Sequence, residues 1–361
     1  MKDIYLFGFS RWKHTFVKSF LKEYKNQNIH FINPTISNHF KLAIKKGLNK
    51  NSLIFIWGKK EFKEVEEFAD KNNINITRVE DGFIRSVGLG SDLTRPYSLI
   101  FDDQGIYFDP TSPSKLETIL NTYDFDETIL EKSKQLRQKI LDTKISKYNN
   151  SSHKKLDLPK HKVKILVSGQ VEDDASIKFA AKGMTNLSLL KQVKERNKDA
   201  YIVFKAHPDV LSGNRIGNIP DKEALKYCDK ILIDISMASV LQAVDEVHTM
   251  TSLTGFEGLL YGKKVVCYGM PFYAGWGLTT DMKKEKRRQR DLSLEELLAG
   301  VYILYPKYLH PKTLAYCDAL ELVDELEKQR NIINNDILYK IRIKIVTFLS
   351  RMSQKILNLV K

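Results

Sequence analysis

Three adjacent acidic residues follow a short apolar run near the middle of the chain. The segment 164–178 reads KILVSGQVEDDASIK and contains Glu172, Asp173 and Asp174. Neighbouring carboxylates repel one another, so a folded protein keeps them together when a cation, a hydrogen-bond network or a reaction uses them. The alternative interpretation is a solvated acidic loop that caps a helix beginning near Ala175. On the triplet alone, both interpretations remain open.

A lysine and a histidine follow another apolar run, which the pattern predicts to be a strand over 201–204. His207 at the end of such a strand can meet a phosphate as a hydrogen-bond donor or an acid, although a lone histidine there is as often structural. Lys205 would add fixed positive charge or remain solvated. The pair is therefore a candidate for anion binding.

Hydroxyl-bearing residues precede a predicted helix that begins near Gly255. Thr251, Ser252 and Thr254 offer hydroxyl groups, the helix N-terminus offers unpaired backbone N–H groups, and the glycine allows close approach. This is the composition of a phosphate site. Ser252 equally suits an ordinary N-cap, and Glu257 stands three residues beyond Thr254, as in a capping box.

A second pair of acids ends a predicted strand over 76–79. Glu80 and Asp81 are followed by Gly82, and glycines recur up to residue 90. In open α/β sheets, ligands bind outside the carboxyl ends of the strands. The acid pair therefore marks another candidate site.

Strands and helices alternate through the first part of the chain, which indicates a parallel sheet wrapped by helices. The predicted strands cover 4–9, 29–32, 52–57 and 76–79, and the predicted helices cover the stretch to 24, 38–46 and 60–71. A hairpin of strands 99–102 and 106–108 is expected around Asp103, Gln104 and Gly105. Residues 114–146 are helical in pattern, and residues 144–158 are predicted to be a polar linker.

The second part of the chain starts the alternation again. Strands are predicted over 165–167, 201–204, 230–233, 247–250 and 265–268, with a helix over 186–196. The sequence thus predicts an α/β fold of two halves, whose polar motifs at strand ends would face a common cleft. The predicted domains are residues 1–150 and 151–310, followed by a helical segment over 311–361.

Composition limits the class of protein. With 361 residues, the chain is long enough for two domains. It has no apolar run of about 18 residues and no recognisable signal peptide, so a cytoplasmic protein is expected. Cys228, Cys267 and Cys317 have no CxxC spacing and are expected to be buried, inert thiols.

The net charge of +14 favours an anionic partner, such as nucleic acid, an anionic sugar nucleotide or a membrane surface. The basic run KKEKRRQR at 283–290 has the composition of a solvated loop or helix face. The tail of residues 337–361 is basic without an acid, and its apolar residues recur at helical spacing. This pattern predicts a basic amphipathic helix, which either packs on the protein or lies on an anionic membrane surface.

Six motifs occur together and in order between residues 50 and 311: EDGFIRSVGLGSDL, SKYN, GQVEDDASI, KAHPDVLSGNR, DEVHTMTSLTGFEGLLYGKKVVCYG and PFYAGWGLTTD. The set resembles the β-Kdo transferases of bacterial capsule biosynthesis. That resemblance implies a GT-B-like fold, with two Rossmann-type domains and an interdomain cleft. Members of this family often carry two such modules, and this chain resembles most the C-terminal one, which leaves open a partner module.

The resemblance implies transfer of 3-deoxy-D-manno-oct-2-ulosonic acid (Kdo) from CMP-Kdo, with retention of configuration, to a Kdo-terminated acceptor linked to phosphatidylglycerol. Retention by double displacement needs a carboxylate nucleophile and an acid/base partner. By motif position Asp174 is the nucleophile, with Asp173 and Glu172 tuning it, although which aspartate attacks stays open. The sequence Glu80-Asp81-Gly82 resembles the acidic-Asp-Gly motif of CMP-sialic acid transferases, in which the aspartate serves as base. Asp81 or Glu80 would therefore activate the acceptor.

Further roles follow from the same resemblance. His207 would contact or protonate the departing CMP phosphate, Ser252 would bind it, and Glu257 would take the ribose hydroxyls. Arg85 and Lys205 are candidates for the Kdo carboxylate, because a planar guanidinium suits a bidentate contact. No metal or cofactor is expected, because CMP leaves with one phosphate. The implied donor-binding residues are Gln170, Glu172, Asp173, Lys205, His207, Thr251, Ser252, Gly255 and Glu257, and the acceptor-side candidates are Arg85, Ser86, Lys147 and Asn149.

Other functions remain open. A transferase for CMP-sialic acid or another CMP-nonulosonate would carry the same phosphate-side motifs, and a non-catalytic capsule assembly or export component would explain the basic tail but not the acids. Nucleic-acid binding is disfavoured, because the basic runs lack interleaved aromatic residues. The preferred assignment places the enzyme on the inner face of the cytoplasmic membrane through residues 337–361, with a 2,7 linkage favoured over 2,4.

Overall fold

A computed structural model describes residues 2–33, 38–87, 94–145, 156–211, 213 and 215–335. The SKYN motif at 146–149 and the predicted amphipathic helix at 337–361 lie outside the described residues. The elements in chain order are β1 (Ile4–Phe7), α1 (Lys13–Phe20), β2 (Ile29–Phe31), α2 (His39–Lys45), β3 (Leu53–Trp57), α3 (Lys63–Lys71), β4 (Ile76–Asp81), β5 (Ser98–Asp102), α4 (Lys115–Thr122), α5 (Glu127–Thr143), β6 (Lys164–Ser168), α6 (Ala175–Ala180), α7 (Asn186–Arg196), β7 (Tyr201–Lys205), α8 (Pro208–Leu211), α9 (Asp221–Ala224), β8 (Lys230–Ile231), α10 (Met237–Ala243), β9 (Glu246–Thr249), α11 (Leu253–Leu260), β10 (Lys264–Cys267), β11 (Thr280–Asp281), α12 (Leu294–Leu298), β12 (Pro306–Leu309), β13 (Tyr316–Cys317) and α13 (Ala319–Asn335). The described residues also contain a 3₁₀ turn at Lys22–Tyr24 and a π-helical segment at Ala299–Leu304. The predicted alternation of strands and helices is confirmed, whereas the short strands β11, β12 and β13 were not predicted.

The described residues form two compact units that differ from the predicted domains. The first unit contains residues up to 104 and from 302 onward, and the second contains 105–145 and 156–301. Helix α5 belongs to the second unit because Ser133 Oγ donates to the carbonyl of Glu295 at 2.8 Å and Arg137 Nε donates to that of Leu260 at 3.0 Å. The residues after 302 extend the first sheet, so 311–335 is not a separate segment.

The first unit contains a seven-stranded sheet with the order β13-β12-β5-β4-β3-β1-β2. Strands β2, β1, β3 and β4 are parallel, whereas β5 is antiparallel to both β4 and β12. The strand order turns back at β1, because the chain goes from β1 to β2 on one side and then crosses to β3 on the other. In such sheets, the carboxyl ends of the strands at this turning point are the usual place for a ligand.

The predicted hairpin around Asp103, Gln104 and Gly105 does not form, because residues 106–108 are not a strand. Strand β5 pairs with β4 and β12 instead. The backbone N–H of Gln104 donates to Asp102 Oδ1 at 2.9 Å and so turns the chain out of the sheet. A Cβ on Gly105 would lie 2.1 Å from the carbonyl oxygen of Pro113, so the glycine here allows the chain to pass close to that backbone.

The second unit contains a six-stranded parallel sheet with the order β11-β10-β9-β6-β7-β8. Numbered from β6, this is the order 3-2-1-4-5-6 of a doubly wound, Rossmann-type sheet. The order reverses between β6 and β9. The residues that follow these two strands therefore lie at the switch point of the second sheet.

Strand β6 is buried on both faces of this sheet. Ile165 and Val167 lie in one core cluster with Ile177 of α6 and Leu189 of α7, and Leu166 between them is also fully buried. A central parallel strand covered by helices on both faces is apolar throughout, without the alternation of a half-exposed strand. The unbroken run of apolar residues in the sequence reflects this burial.

The basic run 283–290 is solvated only in part: Lys283, Lys284 and Lys286 are exposed, as the composition indicated, whereas two of its arginines are held by other parts of the fold. Arg287 Nε and Arg288 Nε donate to the two carboxylate oxygens of Glu117 on α4, at 2.6 and 3.1 Å. Arg288 also donates to the carbonyls of Pro271 and Ala274, each at 2.6 Å. These arginines therefore act as structural cross-links within the second unit.

The burial of the three cysteines and the character of the helices can be compared with the sequence predictions. Cys228 and Cys267 are buried as expected, whereas Cys317 is half-buried. Burial raises the pKa of Cys228 to about 11 and of Cys317 to about 12, and it raises the pKa of Cys267 as well. In the part of the chain that the structure describes, no helix has the length and apolar character needed to cross a bilayer.

Replacing Glu117 tests the cross-link. In Glu117→Ala, the buried guanidinium of Arg288 would lose its carboxylate partner, and we expect the free energy of unfolding to fall by about 3–5 kcal/mol. Glu131→Ala on α5 is the control, because Glu131 pairs with Lys134 at the surface and such pairs contribute about 0–1 kcal/mol. Urea unfolding of both variants measures the difference, and equal losses would contradict a structural role for the basic run.

Candidate functional site

Gln170 joins the ends of β6 and β9 at the switch point of the second sheet. Its Oε1 accepts a hydrogen bond from the backbone N–H of Thr251 at 2.8 Å, and its Nε2 donates to Thr251 Oγ1 at 2.9 Å. The hydroxyl of Thr249 also donates to Gln170 Oε1, at 3.3 Å. The side chain is buried, so these bonds are shielded from water. Gln170 therefore fixes the two strand ends relative to each other.

Asn186, the first residue of α7, holds the turn that follows β6. Its Oδ1 accepts from the backbone N–H of Gln170, and its Nδ2 donates to the carbonyls of Gln170 and Gly217, all at 2.8 Å. Its side chain is buried. Asn186 lies in a predicted helix but was not a predicted site residue, because an asparagine in the first turn of a helix has no sequence pattern that indicates a tertiary contact.

Each carboxylate of the acid triplet has its own hydrogen-bond partner. Glu172 Oε1 accepts from the backbone N–H of Asn186 at 2.7 Å, and exposed Asp173 accepts from Arg215 at 3.0 Å. Asp174 is the N-cap of α6, as the capping interpretation predicted. These separate partners partly offset the mutual repulsion of the three charges.

A directional chain of hydrogen bonds ends on Asp174. Gln170 Nε2 donates to Thr251 Oγ1, whose hydroxyl donates to Ser176 Oγ at 3.3 Å. Ser176 Oγ in turn donates to Asp174 Oδ1 at 2.8 Å, and the Ser176 backbone N–H donates to the same oxygen at 2.9 Å. Among the described residues, Asp174 Oδ2 has no hydrogen-bond partner. Ser176 was not among the predicted site residues, although it lies in the GQVEDDASI motif.

Ser252 is the N-cap of α11, which confirms the capping interpretation of this residue. Its Oγ accepts from the backbone N–H of Thr254 at 3.2 Å, and its own N–H donates to Thr249 Oγ1 at 3.1 Å. A capping box between Thr254 and Glu257 does not form, because Thr254 already lies inside the helix. Among the described residues, the backbone N–H of Leu253 has no partner, so this helix start retains one free donor beside a half-buried hydroxyl.

Gly255 is required for packing, which differs from its predicted use in ligand approach. A Cβ at this position would lie 2.2 Å from the hydroxyl oxygen of Tyr273. That hydroxyl donates to the carbonyl of Ser252, and Tyr273 is fully buried. The space above Gly255 is thus taken by a tyrosine that supports the start of α11.

Lys205 and His207 lie at the end of β7, next to β6. His207 Nδ1 accepts from the backbone N–H of Asp209 at 3.2 Å, which places the proton of a neutral ring on Nε2. Burial lowers the pKa of Lys205, and the charge of Asp234 partly opposes that effect. The pair therefore presents an N–H donor and a cation at the carboxyl edge of the second sheet.

The acids of the first unit lie at the end of β4. Asp81 Oδ2 accepts from Arg85 Nε at 2.7 Å, and Glu80 Oε1 accepts from the Asp81 backbone N–H at 3.0 Å. Arg85 is fully buried and also donates to Ser86 Oγ at 2.8 Å. This geometry argues against Arg85 as a substrate-carboxylate ligand, because its guanidinium is committed to Asp81 and Ser86.

Two predicted acceptor-side residues, Lys147 and Asn149, lie outside the described residues. Within the described ranges, no group of three or more His, Cys, Asp or Glu side chains is placed to hold a metal ion.

Comparison with known proteins defines the class. Residues 52–308 match the family described as capsule polysaccharide biosynthesis protein, and the chain belongs to that family. The resemblance drawn from the six motifs is thereby confirmed.

Two curated proteins are similar to the chain over most of its length. The chain is 45% identical, over 92% of its length, to the capsule polysaccharide modification protein LipA of Neisseria meningitidis serogroup A, and 42% identical, over 70%, to the lipopolysaccharide-processing protein LpsZ of Rhizobium meliloti. It spans about half the length of these proteins, 47% and 58% respectively.

Two solved structures from Thermosulfurimonas dismutans KpsC are similar to the chain. The β-Kdo 2,7 transferase has a TM-score of 0.75 and 38% identity, with 91% of this chain and 100% of that chain covered. The β-Kdo 2,4 transferase has a TM-score of 0.76 and 30% identity, with 90% and 98% covered. Both matches extend over both units of the described fold.

Two glycines of one loop test the packing around Gln170. Gly217 and Gly213 both have positive φ, of +132° and +75°. A Cβ on Gly217 would lie 2.7 Å from the Gln170 carbonyl oxygen and 2.8 Å from Asn186 Nδ2, whereas a Cβ on Gly213 would meet nothing within 4 Å. We expect Gly213→Ala to cost about 1 kcal/mol of unfolding free energy and Gly217→Ala about 3 kcal/mol. Similar losses in urea unfolding would contradict the contact.

Proposed function

We propose that the chain is a β-Kdo glycosyltransferase that takes Kdo from CMP-Kdo and acts in the synthesis of the lipid-linked capsule linker, with retention of configuration and without a metal. The structures similar to it are β-Kdo transferases, and the chain covers their full length. The observation that carries the proposal is the hydrogen-bond chain from Gln170 to Asp174. It fixes one carboxylate oxygen at the switch point of a Rossmann-type sheet, and the other oxygen has no partner among the residues that the structure describes.

In the first displacement, Asp174 Oδ2 attacks the anomeric carbon of Kdo, and CMP leaves with the electron pair of the broken C–O bond. The hydroxyl of Ser252 and the backbone N–H of Leu253 are donors for the phosphate, as is usual at a helix start. His207 Nε2–H and Lys205 add a donor and a positive charge at the neighbouring strand. Glu257 remains our candidate for the ribose hydroxyls.

In the second displacement, an acceptor hydroxyl attacks the anomeric carbon of the Kdo–Asp174 adduct, and a carboxylate of the first unit removes its proton. The bond from that carbon to Asp174 Oδ2 breaks, and its electron pair returns to the Asp174 carboxylate. One carboxylate oxygen of Asp81 is already engaged by the Arg85 guanidinium, at 2.7 Å. We therefore assign the base to Glu80. This division, with the donor in the second unit and the acceptor in the first, is that of a GT-B-like enzyme.

The linkage assignment depends on sequence similarity. The two KpsC structures match with nearly equal TM-scores, 0.75 and 0.76, so the fold does not separate them. Identity is higher to the 2,7 transferase, at 38% against 30%. We therefore propose a 2,7 linkage. Linkage analysis of the product made on a Kdo-terminated acceptor decides between the two.

Intact-protein mass spectrometry tests the nucleophile. After incubation with CMP-Kdo and no acceptor, we expect the wild type to gain one Kdo residue and release CMP. Asp174→Asn should form no adduct, yet remain folded because asparagine is an equally good N-cap. Asp173→Asn is the matched control and should keep activity within about tenfold, since it loses one exposed ion pair.

Three results would count against the proposal. An adduct on Asp174→Asn but not on Asp173→Asn would move the nucleophile to Asp173. An adduct formed from CMP-sialic acid but not from CMP-Kdo would change the donor. Absence of CMP release from either donor, with a Kdo-terminated acceptor present, would favour a non-catalytic capsule component.

We further propose that residues 337–361 attach the enzyme to the inner face of the cytoplasmic membrane, where a lipid-linked acceptor would lie. Deletion of these residues should abolish binding to anionic liposomes at low salt. Activity on a soluble acceptor should be unchanged. Liposome binding that survives the deletion would contradict the attachment.

A further inference from the structure

The first sheet has its own switch point, where β1 lies between β2 and β3. Strand β1 is followed by Gly8, and β3 ends at Trp57. Lys60, in the loop after β3, donates from Nζ to the carbonyl of Gly8 at 2.7 Å and so ties the two strand ends together. Glu80 lies beside the same loop, because a Cβ on Gly58 would be 3.1 Å from Glu80 Oε2. The switch point and the proposed base are therefore neighbours.

Lys13, the first residue of α1, places its ammonium group at this point. Its Nζ lies 3.0 Å from the centroid of the Trp57 ring, which is buried at the end of β3. Attraction between a cation and an aromatic face at this distance holds the ammonium in place. Within the described ranges, Lys13 Nζ forms no hydrogen bond and has no carboxylate oxygen within 4 Å. An ammonium with three N–H donors is thus held without a partner that can accept them.

The charged groups around Lys13 come from three elements. Glu80 and Asp81 face it from β4, Lys60 from the loop after β3, and Arg85 from the loop after β4. Among the described residues, these groups and Lys13 are three cations and two acids, an excess of one positive charge. Asp81 is already paired with Arg85. The described charges at this switch point can therefore accommodate one further negative charge.

We propose that Lys13 binds the carboxylate of the acidic sugar at the end of the acceptor and so positions its hydroxyl for Glu80. This inference rests on the proposed function, because it takes the acceptor to be a sugar acid. One carboxylate matches the excess of one positive charge. A carboxylate also accepts the ammonium hydrogen bonds for which the described residues offer no acceptor, and bonds between two charged groups are the stronger ones.

The ionisation of Lys13 distinguishes a binding role from a structural one. Burial lowers its pKa to about 8 from 10.5, against the opposing charges of Glu80 and Asp81. Below pH 8 the folded and unfolded chains both hold the proton, so the cost of burying the charge is fully present. Between pH 8 and 10.5 the unfolded chain binds more protons, and stability rises with pH as the cost is relieved. A structural lysine in an ion pair would show the opposite trend.

Acceptor binding tests the proposal directly. The probe is the methyl β-glycoside of Kdo, and its carboxyl methyl ester is the uncharged counterpart, both measured by calorimetry at pH 7. We expect the wild type to prefer the acid by about tenfold or more, as for a hydrogen bond between charged groups. Lys13→Met should lose that preference while its melting temperature stays equal or rises. Lys18→Met is the matched control, because Lys18 is an exposed lysine on α1 near the Phe31 ring and should bind as the wild type.

The pH dependence of the affinity for the acid distinguishes the effect of the charge of Lys13 from that of its side-chain shape. The wild type should lose affinity for the acid as pH rises through 8, whereas Lys13→Arg, which stays charged, should retain affinity at pH 9 to 10. Equal affinity of Lys13→Met and the wild type for the acid, or an unchanged wild-type affinity up to pH 10, would overturn the proposal. CMP release from CMP-Kdo without acceptor reports the proposed function separately. If that activity is absent, the glycoside titration still decides whether Lys13 binds a carboxylate.

Discussion

Parallel strands that diverge at a switch point end with backbone groups that no neighbouring strand can pair, and a buried side chain must supply the partners. In the second unit Gln170 does this for β6 and β9, through the backbone and hydroxyl of Thr251. Asn186 then pairs with the backbone of Gln170 itself. The acid triplet, the cap on α6 and the start of α11 are all built on this arrangement. Their geometry depends on the buried side-chain amide of Gln170, because an unpaired polar atom in a buried position costs free energy.

Charge is distributed differently in the two units. In the second unit each acid of the triplet accepts a hydrogen bond, and Arg287 and Arg288 of the basic run are held by Glu117 and backbone carbonyls. In the first unit Arg85 is paired with Asp81, whereas Lys13 is half-buried against the Trp57 ring and, among the described residues, has no carboxylate oxygen within 4 Å. Natural proteins accept such costs where a ligand removes them. The net charge of +14 therefore does not locate a binding site by itself, because Arg85, Arg287 and Arg288 are paired with carboxylates of the protein.

The similar structures indicate the class of protein but do not distinguish between linkages. The two KpsC structures have almost the same similarity in fold, yet they are described as making different linkages. Similarity of fold alone therefore does not distinguish the two linkages.

The sequence by itself determined the features that depend on near neighbours in the chain. Apolar runs located strands β1 to β10, and the residue types around Asp174 and Ser252 identified the helix starts, because a cap bonds within three residues of itself. The failed hairpin after β5 shows the limit, since strand pairing is chosen by the sheet as a whole. Only the tertiary structure decided the bond between Gln170 and Thr251, 81 residues apart, the pair of Arg288 with Glu117, 171 apart, and the seat of Lys13 on Trp57. No local period encodes such contacts, because they exist only when strand order and chain crossovers bring distant segments together.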